Sequence, residues 1–208
     1  QKSSVNLLLG RKVIEIDRKS KLVKLDNGMH VQYEKLILAT GTRPKKLTVK
    51  GSKLNQINYL RTLKDVDHIK NIIKKDTKVL VVGAGYIGLE LAASATKQKA
   101  VVAVVENMDR VLARVTGPEI SNFYQHIHAE KGVAIHLGVS IKEFVNHNGK
   151  YSALIDNDLK LEFDCVVVGI GVEPNVELAE NAGIECDNGI LVNEFTQTND
   201  PDIHAIGD

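Results

Sequence analysis

Cysteine is the first scarcity in this chain of 208 residues: Cys165 and Cys186 are the only two. They form no C-x-x-C redox pair, no zinc-ligand spacing and no disulfide framework, which points to a reducing, cytoplasmic setting. Charge of one sign is missing as well. Lys and Arg number 27 against 26 Asp and Glu, a formal net charge of +1. Such balance lacks the electrostatic footprint of a nucleic-acid binder or a membrane-surface protein. No apolar run approaches the roughly 20 residues that span a bilayer. The longest tracts are of the kind Val79–Val82 and Val101–Val105. No secretory signal pattern opens the chain, which begins on Gln1 rather than Met, so a native N-terminus is expected upstream. Seven histidines include no H-x-x-x-H pair, and His126 and His128 are directed to different helix faces, so no metal site is expected. What remains, 43% hydrophobic and 25% charged, is ordinary soluble globular composition. The length is awkward, long for one domain and short for two.

Short β-branched runs bounded by turn signals dominate the first forty residues. Leu7–Leu9, Val13–Ile16 and Leu22–Leu25 read as strands, with Asp26-Asn27-Gly28 as a hairpin-type turn. Leu36–Ala39 is a continuous apolar strand of the kind buried on both faces of a parallel sheet. Beyond Pro44, Leu63, Val66, Ile69 and Ile73 recur at helical spacing behind Thr62 as N-cap, with Asp65 three residues on. Val79–Val82, the helical stretch Leu89–Lys97 and the strand Val101–Val105 follow. Pro118 then opens a helix that Gly132 closes, with Ile120, Phe123 and Ile127 as its apolar stripe. Short strands return from Val133 and end in the buried run Cys165–Val168, where Cys165 reads as a small apolar filler.

The chain echoes itself. Leu9-Gly10-Arg-Lys-Val13 resembles Leu137-Gly138-Val-Ser-Ile141. Tyr33-Glu34-Lys35 before Leu36–Ala39 matches Phe163-Asp164-Cys165 before Val166–Gly169, and Gly41-Thr-Arg-Pro44 matches Gly171-Val-Glu-Pro174. In each copy a meander leads into a buried strand ending in a glycine-rich turn. Only the later copy has a strand, glycine loop and helix ahead of it. The expectation is one whole dinucleotide-binding unit plus the back half of another.

The chemistry is carried by Gly83-Ala-Gly85-Tyr-Ile-Gly88, directly after a buried strand and opening a helix. In a dinucleotide fingerprint, Gly83 permits the tight turn, Gly85 lets backbone approach a pyrophosphate at the helix N-terminus, and Gly88 allows close helix–strand packing. An acid is due at the end of the next strand, and Glu106 stands directly after Val101–Val105. Its carboxylate suits the ribose hydroxyls and repels a 2′-phosphate, favouring NAD over NADP. Glu90, two residues past Gly88, falls in the first helical turn by this reading, where the dipole favours a carboxylate.

These segments, with Ala39-Thr-Gly-Thr-Arg-Pro44 and Thr198-Asn-Asp-Pro-Asp-Ile-His-Ala-Ile-Gly-Asp208, resemble the flavin-dependent pyridine-nucleotide oxidoreductases. Arg110–Tyr124 and Asn188–Glu194 narrow the resemblance to the ferredoxin reductases of oxygenase systems. It covers nearly the whole chain. It implies an α/β, Rossmann-like FAD/NAD(P)-binding fold, three-layered, whose parallel sheet is crossed by a β-meander. By this likeness residues 1–44 are part of an FAD-binding domain, 45–172 the NAD-binding domain, and 173–208 the return segment of the first. Thr40, Gly41 and Arg43 match a segment near the FAD pyrophosphate and adenosine, and Gly207 and Asp208 match the motif that holds the ribityl chain. Tyr86 and Ile87 match residues beside the nicotinamide, Glu90 the carboxylate that holds its carboxamide, and Arg114 and Gly171 further NAD contacts. The implied reaction passes a hydride from NADH to FAD and single electrons on to a ferredoxin- or rubredoxin-type iron–sulfur protein. No residue is singled out as a chemical catalyst, since the cofactors carry the chemistry.

NADH oxidases, nitrite-reductase-type flavoproteins and apoptosis-inducing-factor-like proteins share the central motifs. A non-catalytic NAD-binding fragment is the reading from a different class, since the N-terminal glycine loop and the C-terminal interface domain of the family are missing here. Lys99 stands where the family has a glycine after the helix, so that helix is expected to end differently. Lys45, Lys46, Lys50, Lys53, Lys74 and Lys75 read as solvated charges, with a docking surface for an acidic ferredoxin as the alternative.

Overall fold

A computed structural model describes residues 5–156 and 158–208. The chain divides into two units, one of residues 1–43 with 173–208, the other of residues 44–172. In chain order the strands of the first segment are β1 (Val13–Asp17), β2 (Leu22–Leu25), β3 (His30–Gln32), β4 (Leu36–Leu38) and β5 (Thr42–Pro44). Next come β6 (Ile57–Tyr59), α1 (Leu63–Ile72), β7 (Lys78–Val82), α2 (Tyr86–Lys97), β8 (Val101–Val105), α3 (Pro118–Glu130) and β9 (Ala134–His136). A meander of β10 (Ile141–His147), β11 (Lys150–Ile155) and β12 (Lys160–Phe163) leads into β13 (Cys165–Val168) and β14 (Val172–Pro174). The return segment holds α4 (Glu177–Asn181), β15 (Cys186–Asp187), β16 (Gly189–Ile190) and β17 (Ile203–Ala205).

In the larger unit five strands pair in the order β6-β13-β7-β8-β9, all parallel. The unbroken apolar runs follow from what covers the two faces. Val79 and Val81, Val102 and Val104, and Cys165 and Val167 pack with Ile69, Ile73, Leu89 and Ala92 of the helical layer. The alternate residues Leu80, Val82, Val105, Val166 and Val168 pack with Phe144, Ala153, Ile155 and Phe163 of the meander. Helices, parallel sheet and meander are the three layers the resemblance implies. Strands covered on both sides have no reason to alternate with polar residues. Cys165 lies in this core, fully buried, with its thiol pushed up to about 11 by desolvation, as befits a filler.

The smaller unit repeats the motif. Its β1-β2-β3 meander precedes β4, which pairs in parallel with β17. The two meanders share a defect: the register slips between Val13 and Glu15 in β1, and between Ile141 and Glu143 in β10. Gly10 and Gly138 ahead of them hold φ of +67° and +66°. An echo that extends to a β-bulge at corresponding residues reflects the same local backbone problem solved the same way. Ile16, Val23, Leu38, Ala179, Ile184 and Ile203 form this unit's core. Arg18 donates to Asp200 at 2.7 Å and to the Gly183 carbonyl at 2.8 Å, and Lys35 donates to Asp202 at 2.7 Å. Lys21 and Lys35 together hold the Asp202 carboxyl down at about 2.

The run Leu36–Ala39 is not buried on both faces, since Ile37 is 59% exposed in β4, and three further expectations change. Leu7–Leu9 is not a strand, and its side chains are 71, 55 and 81% exposed. An apolar triplet extends into a sheet only where another strand offers backbone partners, and none of the described residues does so here. The α3 stripe of Ile120, Phe123 and Ile127 faces outward, at 49, 59 and 36% exposure, whereas Ser121 and His128 are buried. Seven residues apart, those two share the inner face because carbonyl groups await them. Ser121 Oγ donates to Val111 O at 2.6 Å, and the His128 ring nitrogens lie 2.8 Å from Tyr124 O and 3.1 Å from Leu89 O.

The third concerns Lys99, which does not redirect the end of α2. It adopts the left-handed conformation itself, at φ +64°. Ala100 N–H reaches Ala95 O at 3.2 Å and Lys99 N–H reaches Thr96 O at 2.8 Å, the paired bonds of a Schellman ending. These bonds outweigh the steric cost of a β-carbon there. Replacing Lys99 with glycine removes that cost and adds some unfolded-chain entropy, so Lys99→Gly is expected to stabilise by about 0.5–1 kcal/mol. Urea denaturation checks this, and a lower midpoint would contradict it.

Candidate functional site

In the parallel sheet β7 has β8 on one side and β13 on the other. The chain winds outward through β8 and β9, then returns to the opposite side of β7 as β13. The carboxyl ends of β7 and β13 therefore flank a topological switch point, where open α/β sheets leave a crevice for ligands. Gly83 follows β7 and Gly169 follows β13. Gly83 N–H donates to Val105 O at 2.8 Å, and Gly169 N–H to Val82 O at 2.7 Å.

The three fingerprint glycines have different reasons to be glycine. Gly83 sits at φ +101°, and a β-carbon there would collide with the Gly169 carbonyl. A β-carbon on Gly88 would collide with the carbonyl oxygen of Gly83 and lie 3.3 Å from Val81 Cγ1. These two are demanded by the chain itself. Gly85 is not: its φ is −77°, and a β-carbon would meet nothing within 4 Å. It is also the N-cap of α2, with no side chain capping the first turn. An uncapped helix start beside a strip of bare backbone fits an anion such as a pyrophosphate.

Glu106 lies one residue past β8, partly buried. Its Oε2 accepts the Ala84 N–H at 2.6 Å and its Oε1 accepts the Met108 N–H at 2.9 Å. A carboxylate offers about four acceptor positions, so each oxygen retains capacity for a hydroxyl donor. Glu106 is thus both a brace for the glycine loop and a fixed negative charge beside it. Tyr86 and Ile87, 55 and 46% exposed, open α2. Glu90 is exposed one turn after Tyr86 on the same face. Because the helix begins at Tyr86, Glu90 lies beyond the first turn, and the dipole argument for it falls away. Arg114 is exposed in the loop after β8, and Gly171 holds φ +104° in the loop after β13.

A family model described as pyridine nucleotide-disulphide oxidoreductase matches residues 1–208. The chain belongs to this family. Putidaredoxin reductase of Pseudomonas putida is 42% identical over 99% of the chain and 50% of its own length. Rubredoxin-NAD(+) reductase of the same species is 34% identical over 99% of the chain and 54% of its own length. The crystal structure of the ferredoxin reductase for the CYP199A2 system from Rhodopseudomonas palustris superposes with a TM-score of 0.92 at 39% identity, over 97% of this chain and 50% of that one. The chain spans about half the length of the curated relatives it matches.

The family likeness singles out a second residue set in the smaller unit, and the structure shows how each is held. Thr40 Oγ1 donates to Asn175 O at 2.7 Å, and the Gly41 carbonyl accepts Asn175 N–H at 2.9 Å. Arg43 donates to Glu173 at 2.8 Å and Asn175 Oδ1 at 2.9 Å, and pairs with Glu177 at 2.6 Å. The guanidinium remains half-exposed while making these contacts. Asp208 accepts Thr42 Oγ1 at 2.9 Å, and Gly207 keeps φ +90° with open space around it. Among the lysines, Lys46 covers the Tyr59 ring at 3.4 Å, whereas Lys50 pairs with Glu143 at 2.8 Å from a side chain that stays largely exposed. Sequence reasoning missed Gly169, whose carbonyl abuts Gly83, and the backbone of Ala84 and Leu112. The glycine at the end of β13 was visible, but the contact that makes it matter is not local in sequence.

The glycines separate experimentally. Gly88→Ala drives a β-carbon into backbone and is expected to cost at least about 2–3 kcal/mol of stability. Gly85→Ala is expected to cost less than about 1 kcal/mol, the difference between glycine and alanine as N-cap. Urea unfolding of the two variants distinguishes them, and equal losses would mean that the chain itself requires Gly85.

Proposed function

We propose that this chain is the nucleotide-handling portion of a cytoplasmic, NADH-dependent flavoprotein reductase that delivers electrons to a ferredoxin- or rubredoxin-type iron–sulfur protein. Residues 45–172 form its NAD-binding domain, and residues 1–44 and 173–208 belong to its FAD-binding domain. The observation that carries the reading is Gly85, a glycine whose added β-carbon would meet nothing and whose φ is ordinary, at a helix start with no side-chain cap beside the switch point.

Gly83, Gly85 and Gly88 shape the turn that receives the pyrophosphate, and α2 directs its free N–H groups at it. Glu106 accepts the ribose hydroxyls on the lone pairs left by Ala84 and Met108, and its charge disfavours a 2′-phosphate, so NADH is preferred over NADPH. Tyr86 and Ile87 flank the nicotinamide, Glu90 holds its carboxamide, and Arg114 and Gly171 add contacts. Toward FAD the chain supplies Thr40, Gly41, Gly207 and Asp208. Arg43 belongs to the same set, and its ion pairs with Glu173 and Glu177 support its strand. The flavin supplies the two-electron to one-electron conversion, and the protein binds, orients and insulates.

Glu106→Ala tests the assignment by fluorescence titration with both nucleotides. The dissociation constant for NADH is expected to rise about tenfold, a loss of about 1.4 kcal/mol, with a much smaller change for NADPH. An equal loss for both would leave Glu106 a brace of the loop and remove it from nucleotide selection.

A further inference from the structure

Among the described residues of the larger unit, Leu112 is the one buried non-glycine residue with a left-handed backbone: 3% exposed, an aliphatic residue held at φ +53°. A leucine stays in the left-handed region only where its surroundings over-determine it. Its N–H donates to Ala84 O at 2.9 Å, while its own carbonyl accepts Val115 N–H at 3.0 Å and Thr116 N–H at 3.1 Å. Ala84 is the residue between the first two fingerprint glycines, and its N–H is already held by Glu106. The loop after β8 therefore grips the Ala84 residue from both sides.

Arg110 is what closes this loop. Its Nη1 donates to Thr116 O at 2.7 Å and to Ser121 Oγ at 2.8 Å, and its Nη2 donates to Ala113 O at 2.8 Å. Ser121, fully buried at the start of α3, in turn donates a hydrogen bond to Val111 O at 2.6 Å. The carbonyls on both sides of Leu112 are thus drawn to one guanidinium and one hydroxyl. Three acceptors met at fixed angles call for a planar fork, which a lysine ammonium on a flexible stem does not reproduce.

We propose that Arg110 is a positioning residue for the dinucleotide site. With Ser121 it locks Leu112 in its left-handed conformation, and through Leu112 it sets where Ala84 and the Glu106 carboxylate lie. This rests on the nucleotide reading of the glycine loop given above. Arg110 touches no nucleotide; it acts only through the backbone that does.

The test uses Arg110→Lys, with Ser121→Ala as a milder variant should the first fail to fold. Amide hydrogen exchange without nucleotide reads the clamp directly. The Ala84 and Leu112 amides are expected to exchange at least about tenfold faster in either variant, with the β7 amides of Val79–Val82 still protected. Nucleotide titration reads its consequence. NADH affinity is expected to fall about fivefold in Arg110→Lys with NADPH affinity changed less than twofold, since displacement of Glu106 erodes discrimination. A general structural defect would instead lower both equally and deprotect β7, and either result overturns the proposal. An unchanged Ala84 amide in folded variants overturns the role of Arg110 alone. A wild-type chain that binds neither nucleotide overturns the site itself, and with it any role of Arg110 toward it.

Discussion

The residue on which the larger unit's upper edge depends is Ala84. Its N–H is spent on a carboxylate from the end of β8, and its C=O on a leucine N–H from the loop that follows. These two bonds add to the Gly83 N–H bond to Val105 O and to the close packing of Gly83 and Gly88 in holding the turn after β7. With them, the first strand–helix loop is fastened to the second, and the open face of Gly85 is presented in one orientation. The desolvated N–H and C=O of a fully buried residue need partners in any case. Here meeting that need also sets the bare backbone around Gly85 close to the Glu106 carboxylate.

The layers beneath explain why such a loop is stable. Parallel strands covered by helices on one side and by a meander on the other carry their apolar residues without interruption. Their carboxyl ends converge where β7 and β13 meet. Close approach there leaves no room for β-carbons, which is why Gly83 and Gly88 are structural while Gly85 is the exception. The matching bulges in β1 and β10 show the same meander built twice, once for each unit.

Helix α3 shows how far pattern reasoning carries. Its ends were legible, Pro118 at the start and Gly132 at φ +84° past the end, because caps depend on residues a few positions apart. Its inner face was not. Apolar periodicity marked Ile120, Phe123 and Ile127, yet Ser121 and His128 point inward. The carbonyls that receive them belong to Val111 and Tyr124 nearby and to Leu89 on another helix. Lys99 makes the complementary point: a residue ill-suited to a left-handed ending takes it anyway when two backbone bonds depend on it.

The sequence alone determined the parallel-sheet class, the doubled meander, the fingerprint and the acid that answers it. Each is written in short-range spacing, in unbroken strand hydrophobicity or in turn residues with narrow conformational tolerance. Tertiary structure alone decided which fingerprint glycine the chain itself does not need and which face of α3 turns inward. It also decided that Arg43 is paired with Glu173 and Glu177, and that Arg110 meets the carbonyls of Ala113 and Thr116 beside a left-handed Leu112 that donates to Ala84 O. Those outcomes depend on contacts between residues far apart in sequence, whose burial and hydrogen bonding settle competitions that local propensity leaves open.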